Sequence, residues 1–409
     1  MSNNKIIKCP ICGSEKAENL LVLNCGNLDH STLYPSVKIN SCEECGHIYN
    51  RLSSEDISGL MEYYNEEYAK INISSADKTG DRPGSNNKNT TDRYNHLYNL
   101  ISKYITDDFK VLDVGCAMGG FLDYLDSKGV KNLAGIDPIV KYVDYAKHKN
   151  NHNIKVGSAQ AIPFDDKTFN LVVMDQVMEH LADPIQAFKE AKRVLVDGGL
   201  ICLGVPDASR YNKIYFFDFF WFLMREHIQH FDIEHLKLLA SIEGFELLAH
   251  SESEIPITSE SMILPDLNVV FRLTDAKNKL DITKNCFKLK KEIKQYIEDD
   301  FKRLNKKIKI FDALALSKKS LYAWGIGREF LYLYESAGLK KCNITALIDS
   351  NLYKQGERSV GGRKITDSTV LKNAPENSVL LISAIAHAES IKKIALSTGY
   401  NQQILDISQ

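Results

Sequence analysis

The sequence has no apolar run approaching the ~18 residues that a membrane-spanning helix needs. It has almost no net charge. Its 51 Lys and Arg stand against 53 Asp and Glu, a formal charge of -2 at pH 7. A chain so balanced offers no broad basic field for nucleic acid phosphates. Neither nucleic acid nor a membrane is therefore expected as a partner. The opening MSNNKIIKCP lacks the apolar core of a secretory signal, which gives a cytoplasmic expectation. In that compartment nine cysteines point to thiols or metal rather than disulfides. What is present is ordinary: 409 residues, 44% apolar and 25% charged. That composition suits a globular protein of roughly two to four domains.

The chain is organised around Val111 to Leu122, VLDVGCAMGGFL. Val111, Leu112 and Val114 read as an apolar strand with Asp113 near its end. Gly115, Gly119 and Gly120 follow, and a helical pattern begins at Phe121. Strand, glycine-rich turn and helix form the first unit of a doubly wound α/β sheet. The glycines allow close backbone approach to a ligand, and the helix start offers free N–H groups. The spacing is Asp-x-Gly-x-x-x-Gly, not the dinucleotide fingerprint. In this it resembles the first motif of the class I S-adenosylmethionine (SAM) methyltransferases.

The segments that follow keep to this order. A helical stripe at Leu97, Leu100, Ile101 and Tyr104 leads into the first strand. A second strand ends in Asp137, 24 residues after Asp113, where nucleoside-binding sheets place an acid for the ribose hydroxyls. The resemblance gives Asp137 that task, Gly115 and Gly119 the cofactor turn, and Ala159 and Gln160 the flank of the adenine. Asn170 to Asp175 reads as a buried parallel strand. Glu179-His180 lies beyond its carboxyl end, which the resemblance treats as scaffold around the SAM methionine. A helix from Ile185 to Val194 and a strand from Leu200 to Pro206 complete five strand–helix units.

Cys9-x-x-Cys12 and Cys42-x-x-Cys45 stand 29 residues apart, each followed by glycine. Four thiolates suit a closed tetrahedral Zn2+ site of structural kind, and so short a module would lean on its metal to fold. Residues 1–100 hold 10 Lys and Arg against 13 Asp and Glu, which argues against an RNA-gripping ribbon. The tyrosine-rich, then Ser/Asn/Gly-rich stretch 62–94 is either a linker or a cover for the cofactor site.

The acceptor region is expected after Pro206. Eight of the twelve residues from Tyr211 to Phe222 are aromatic, either core or pocket lining. Glu226-His227 and His230 follow, in the loop before a helix capped by Asp232 and ended by Gly244. An imidazole there is suited to take a proton at neutral pH, with a carboxylate to orient it. Paired cysteines, Tyr34-Pro35, a SAM domain, Glu226-His227 and a further α/β domain together resemble the deoxysugar C-methyltransferases. That resemblance implies a nucleotide-linked sugar as acceptor, His227 as base and Glu226 beside it. The family's tyrosine, two positions before the Glu, is Met224 here. Transfer to a hydroxyl, of a sugar or another small metabolite, therefore stays open, as does a SAM-binding assembly protein without catalysis.

Beyond Leu264-Pro265, apolar positions from Cys286 to Ile308 recur every three or four residues, one long amphipathic helix. Trp324-Gly325-Ile-Gly327-Arg328, a strand ending at Asp349, turns at Lys354-Gln355-Gly356, and a strand at Val379 to Ser383 make a second Rossmann-like unit. The resemblance gives it a share in holding the nucleotide-sugar; a scaffold or dimerisation role is the alternative. The expected architecture is thus α/β throughout. A zinc-binding module (1–75) precedes a Rossmann-like SAM methyltransferase sheet (76–254). A linker with the long helix (255–318) then leads to a smaller Rossmann-like domain (319–409).

Overall fold

The computed structural model describes residues 8–72, 88–106, 108–149, 152–213, 219–256, 263–274 and 282–407. Residues 73–87 of the linker-or-cover stretch and 214–218 of the aromatic run lie outside these. Three sheets organise the described residues.

The largest sheet has seven strands. Lys110–Val114, Asn132–Asp137, Phe169–Asp175 and Leu195–Pro206 are largely buried and parallel to one another. Parallel strands need helices on both faces, and Gly120–Ser127, Val140–Lys149 and Pro184–Val194 supply the crossovers. The spatial order is Asn153–Val156, Asn132–Asp137, Lys110–Val114, Phe169–Asp175, Leu195–Pro206, Ile263–Leu273, Phe245–Pro256. Strand order reverses beside Lys110–Val114, and ligands bind such sheets at the carboxyl ends flanking that point.

This sheet does not stop at residue 254. Phe245–Pro256 turns back through Ile263–Leu273, which inserts antiparallel against Leu200 to Pro206. Leu264-Pro265, read from the sequence as a boundary, lies inside this strand, which also carries Asp266 and Asn268. Both polar side chains are buried, and Asp266 accepts hydrogen bonds from Gln176, Ser253 and Asn268.

The cysteine module is not a separate body either. Its sheet runs Ala17–Asn24, Ser36–Cys42, Ile48–Asn50 and then Gln229–His230, a strand lent by the loop that carries His227. Ile48 pairs with His230 and Tyr49 with Gln229.

The long helix spans Lys288–Ser317, with Leu289, Ile293, Tyr296, Ile297, Leu304 and Phe311 buried. Two of its polar groups brace the aromatic run. Asp300 accepts the Phe220 N–H at 2.6 Å and the Tyr296 hydroxyl accepts that of Phe222 at 3.3 Å. Tyr211, Phe219, Phe220 and Phe222 are buried, and Tyr211 stacks on Phe222 with centroids 4.4 Å apart. Core packing, not an open pocket, explains these aromatics. Among the described residues no helix is long and apolar enough to cross a membrane.

The third sheet has the order Ser359–Val360, Arg363–Thr366, Ile344–Ile348, Leu321–Trp324, Val379–Ile382, Gln403–Asp406. Its four inner pairings are parallel. Lys354-Gln355-Gly356 is not a turn but part of a short helix, Leu352–Glu357, capped by the Asn351 side chain. The carboxamide accepts the Lys354 N–H and so favours helix over turn at that point.

Candidate active site

The first strand ends on Gly115 at φ +79°, where an added Cβ would stand 2.6 Å from Val177 Cγ2. Glycine is thus required both by conformation and by the wall that Val177 makes. Gly119 caps the helix Gly120–Ser127. Asp137 closes the turn from the neighbouring strand, accepting the N–H groups of Ala117 at 2.9 Å and Ile139 at 2.8 Å.

Acids gather behind this turn. Burial, then the charges of Asp175 and Asp137, push Asp113 up to about 8. Burial raises Asp137 to about 6, and burial with the Asp175 charge raises Asp266 to about 7. Arg93 lies among them, its Nε 2.9 Å from Asp175 Oδ2. Buried acids outnumber this guanidinium, an arrangement that favours a cationic ligand. Ala159 is buried after the edge strand Asn153–Val156, and Gln160 donates to the Asp183 carbonyl at 3.2 Å.

Glu179-His180 and Glu226-His227 meet at the carboxyl end of Phe169–Asp175. The Ile228 N–H donates to the Glu179 carbonyl at 2.7 Å. His180 Nδ1 lies 2.8 Å from the Glu226 carbonyl oxygen, and His227 Nδ1 lies 3.2 Å from that of Phe222. A carbonyl only accepts, so each Nδ1 carries the proton and each Nε2 is left with a lone pair. The two rings stand edge to face at 5.0 Å. Burial, with the neighbouring imidazoles, holds His227 well below its ordinary value. Its orientation comes from the Phe222 carbonyl, not from Glu226 as the sequence suggested. The Glu226 charge instead acts on phenols: burial first, then Glu226, raises Tyr34 and Tyr64, and takes Tyr68 to about 12. His230 is fully buried, with neither ring nitrogen hydrogen-bonded.

Tyr64 and Tyr68 were missed as site residues. They lie on a π-helical turn, Tyr63–Tyr68, a form often found at functional sites. The Tyr64 hydroxyl is 3.1 Å from His180 Nδ1. Tyr68 packs against Ala117, Met118, Ile139 and Tyr142 around the glycine turn. The tyrosine run in EYYNEEY was visible; which cleft it would cover was not.

The four cysteines of the amino-terminal module converge. Cys9 and Cys45 sulfurs are 3.6 Å apart and those of Cys12 and Cys42 3.5 Å. All four lie within 4.8 Å of one another. A tetrahedron of thiolates ~2.3 Å from zinc has edges of about 3.8 Å, so the sulfurs fit that ion. Gly13 N–H to Cys9 O and Gly46 N–H to Cys42 O shape the two knuckles. The cluster abuts the histidine loop. His235 lies between the Cys45 carbonyl at 3.2 Å and Asp232 at 2.6 Å, and His47 Nε2 is 2.8 Å from Gln229 Oε1.

The carboxy-terminal glycine turn is filled by the protein itself. Gly325 has φ +101°, and a Cβ there would stand 2.5 Å from Ala384 Cβ. Asp349 accepts the Ile326 N–H at 2.9 Å, but it also pairs with the buried Lys354 ammonium at 3.1 Å. Lys354 Nζ donates to the Ile326 carbonyl as well. A nucleotide held by this turn, the share implied by resemblance, has no acid left to meet it.

Comparison with known proteins matches residues 87–250 to a family described as a methyltransferase domain. An uncharacterized methyltransferase of Schizosaccharomyces pombe is 34% identical over 132 residues, covering 28% of this chain and 46% of its own. A demethylmenaquinone methyltransferase of Staphylococcus haemolyticus is 30% identical over 156 residues, covering 32% of this chain and 65% of its own. A solved SAM-dependent methyltransferase of Methanosarcina mazei shares 22% identity, with a TM-score of 0.36, over 42% of this chain and 96% of that one. The chain spans about half the length of the curated relatives it matches. The glycine turn, both of its aspartates and the Glu179-His180 pair all fall inside the stretch that matches the methyltransferase domain family.

Proposed function

We propose that the protein is a SAM-dependent methyltransferase acting on a nucleotide-linked sugar, at a carbon beside a ketone, with His227 as base. The observation that carries this reading is the tyrosine segment. Tyr68 packs on the glycine turn while Tyr64 meets His180, so cofactor turn and imidazoles belong to one site. SAM supplies an electrophilic methyl carbon. Gly115, Gly119, Asp137 and the Ala159-Gln160 loop would hold it, with the buried acids favouring its positive charge. The remaining tasks fall to the chain: orient the acceptor and take its proton. With Nδ1 tied to the Phe222 carbonyl, His227 Nε2 is the atom that would take the proton.

The nucleotide part of the acceptor rests on the family resemblance alone: Arg225 and Arg328 line a cavity beside the His227 loop with room for about one water, and Arg225 already bonds the Gly26 and Tyr34 carbonyls and Asn27. Zn2+ at Cys9, Cys12, Cys42 and Cys45 would have no open position. Its role is to fix the sheet that holds Gln229–His230, and thereby the aim of His227.

A hydroxyl acceptor is the second reading, favoured by Met224 in place of a tyrosine. Mass spectrometry of the protein with SAM and a panel of keto and non-keto nucleotide-sugars tests both. A methyl gained on a keto sugar and resistant to O-demethylation supports carbon transfer. Solvent deuterium entering the sugar without SAM supports it further. Gain only on hydroxyl sugars moves the acceptor atom to oxygen. No gain on any sugar, with SAM still bound, removes the sugar. His227→Ala should abolish turnover and keep SAM affinity; near-normal turnover removes His227 from the mechanism.

A further inference from the structure

Glu179 is the unexplained group of the cleft. It is 1% exposed, and neither carboxyl oxygen has a hydrogen-bond partner. A buried carboxyl left unpartnered is costly, so its setting points to an absent occupant. Oε1 stands 3.9 Å from His180 Nε2, beyond hydrogen-bond length. One ligand atom each from Glu179, His180 and His227 lie within 4.8 Å of one another.

We propose that Glu179, His180 and His227 form a second cation site, separate from the four cysteines, for a divalent transition-metal ion. Three features converge. Both imidazoles are tethered through Nδ1 to backbone carbonyls, Glu226 O for His180 and Phe222 O for His227. That outer bond is the habit of metal-ligating histidines, because it fixes the tautomer and aims Nε2 at the ion. The third group is a buried carboxyl with no side-chain partner, whose proton an ion would displace. Two imidazoles and one carboxylate form a facial set that leaves positions open for water or an acceptor oxygen. Ligands ~2.1 Å from an ion stand about 3.3 Å apart, so atoms within 4.8 Å of one another must close by up to about 1.5 Å, within reach of rotamer adjustment.

This site shares His227 with the proposed base and so rests partly on that reading. An ion on His227 Nε2 occupies the lone pair that proton abstraction uses. The loaded protein should therefore lose transfer while keeping SAM affinity. If the ion binds and transfer persists, the base assignment fails and the site stands.

Binding itself is measured without substrate. The full-length chain, its cysteine site loaded with zinc, is dialysed against a weak chelator and titrated with Co2+ under calorimetric and visible-absorption readout. One Co2+ per chain is expected, with ligand-field bands and no sulfur-to-cobalt charge transfer. Glu179→Gln and His180→Asn should each weaken it at least ~10-fold. Unchanged cysteine-site zinc and unchanged circular dichroism show that each variant is folded. No Co2+ beyond the cysteine site in the wild type overturns the proposal. So does binding with thiolate charge transfer, or binding that both folded variants retain.

Discussion

The two glycine turns of this chain are built alike and finished differently. Each follows a parallel strand, each opens a helix, and each is closed by an aspartate from the next strand, Asp137 or Asp349. In both cases that aspartate accepts one N–H from the turn and one from two residues further along its own chain. The first turn meets Asp137 with backbone N–H groups alone. The carboxy-terminal turn sets the Lys354 ammonium on Asp349 and closes Ala384 over Gly325. A strand–glycine–helix unit with a distal acid is therefore a folding solution before it is a binding site. What decides between them is whether a charge of the chain's own completes the crevice.

The largest test of that difference is Asp349→Ala. It strands the Lys354 ammonium in the core with one carbonyl, and loss of one partner of a buried pair typically costs about 3–5 kcal/mol. Denaturant midpoints should fall accordingly, with SAM affinity below the transition changed no more than a few-fold, through the Asn351 N–H that Asp349 also holds. Unchanged stability would show that the Lys354 ammonium does not depend on Asp349 and that the second turn is not completed by the chain's own charge.

The acids of the first turn should show themselves in pH dependence. Folding lifts Asp113 to about 8 and Asp137 to about 6, above the ~3.9 of a free Asp. The native chain thus holds protons that the unfolded chain releases between about pH 4 and pH 8, and stability falls as pH rises through that window. Asp113→Asn removes one such group and should flatten the fall by ~1–3 kcal/mol. An unchanged slope in denaturation series from about pH 5 to 9 would show that Asp113 does not carry it. Asp137→Ala, at neutral pH, should weaken SAM by at least ~10-fold, about 1.4 kcal/mol. Zinc at the cysteines should not change, and full SAM affinity in this variant would remove Asp137 from the cofactor site.

The sequence displays one of these turns well and the other poorly for a physical reason. Asp113, Gly115, Gly119 and Asp137 act through backbone geometry and chain order, which local pattern encodes. The Cys9/Cys12 and Cys42/Cys45 pairs are likewise legible, since spacing alone fixes two knuckles. Lys354 looks like any lysine in a polar turn; its burial depends on Asp349 and Ile326 lying across the sheet. The same holds for Gln229–His230, two residues whose strand exists only because Ile48 and Tyr49 are there to pair with them. Ile263–Leu273 hid behind Pro265 and Asp266, because the partners of a buried acid are remote. Tertiary partners that replace solvent for a polar side chain are what local periodicity does not carry.

The smallest effect concerns how the closed turn serves the open one. The Asn351 side chain caps the helix that carries Lys354 and donates to the carbonyls of Lys70 at 3.2 Å and Ile71 at 2.9 Å. Beside it, Arg358 pairs with the buried Glu67 at 2.9 Å, within the tyrosine segment itself. The carboxy-terminal domain thus clamps the residues that place Tyr64 and Tyr68 over the first glycine turn and His180. Asn351→Ala loses a cap and should cost ~1 kcal/mol of stability. If the clamp matters, it should also weaken SAM a few-fold, although Asn351 lies outside the methyltransferase domain. Calorimetry on Asn351→Ala and Asn351→Asp separates the two contributions, because aspartate restores the cap but cannot donate to Lys70 and Ile71. Recovery of stability without recovery of SAM affinity in the aspartate variant is the expected pattern. Recovery of both would mean that only the cap matters, and that the second domain supports the first by packing alone.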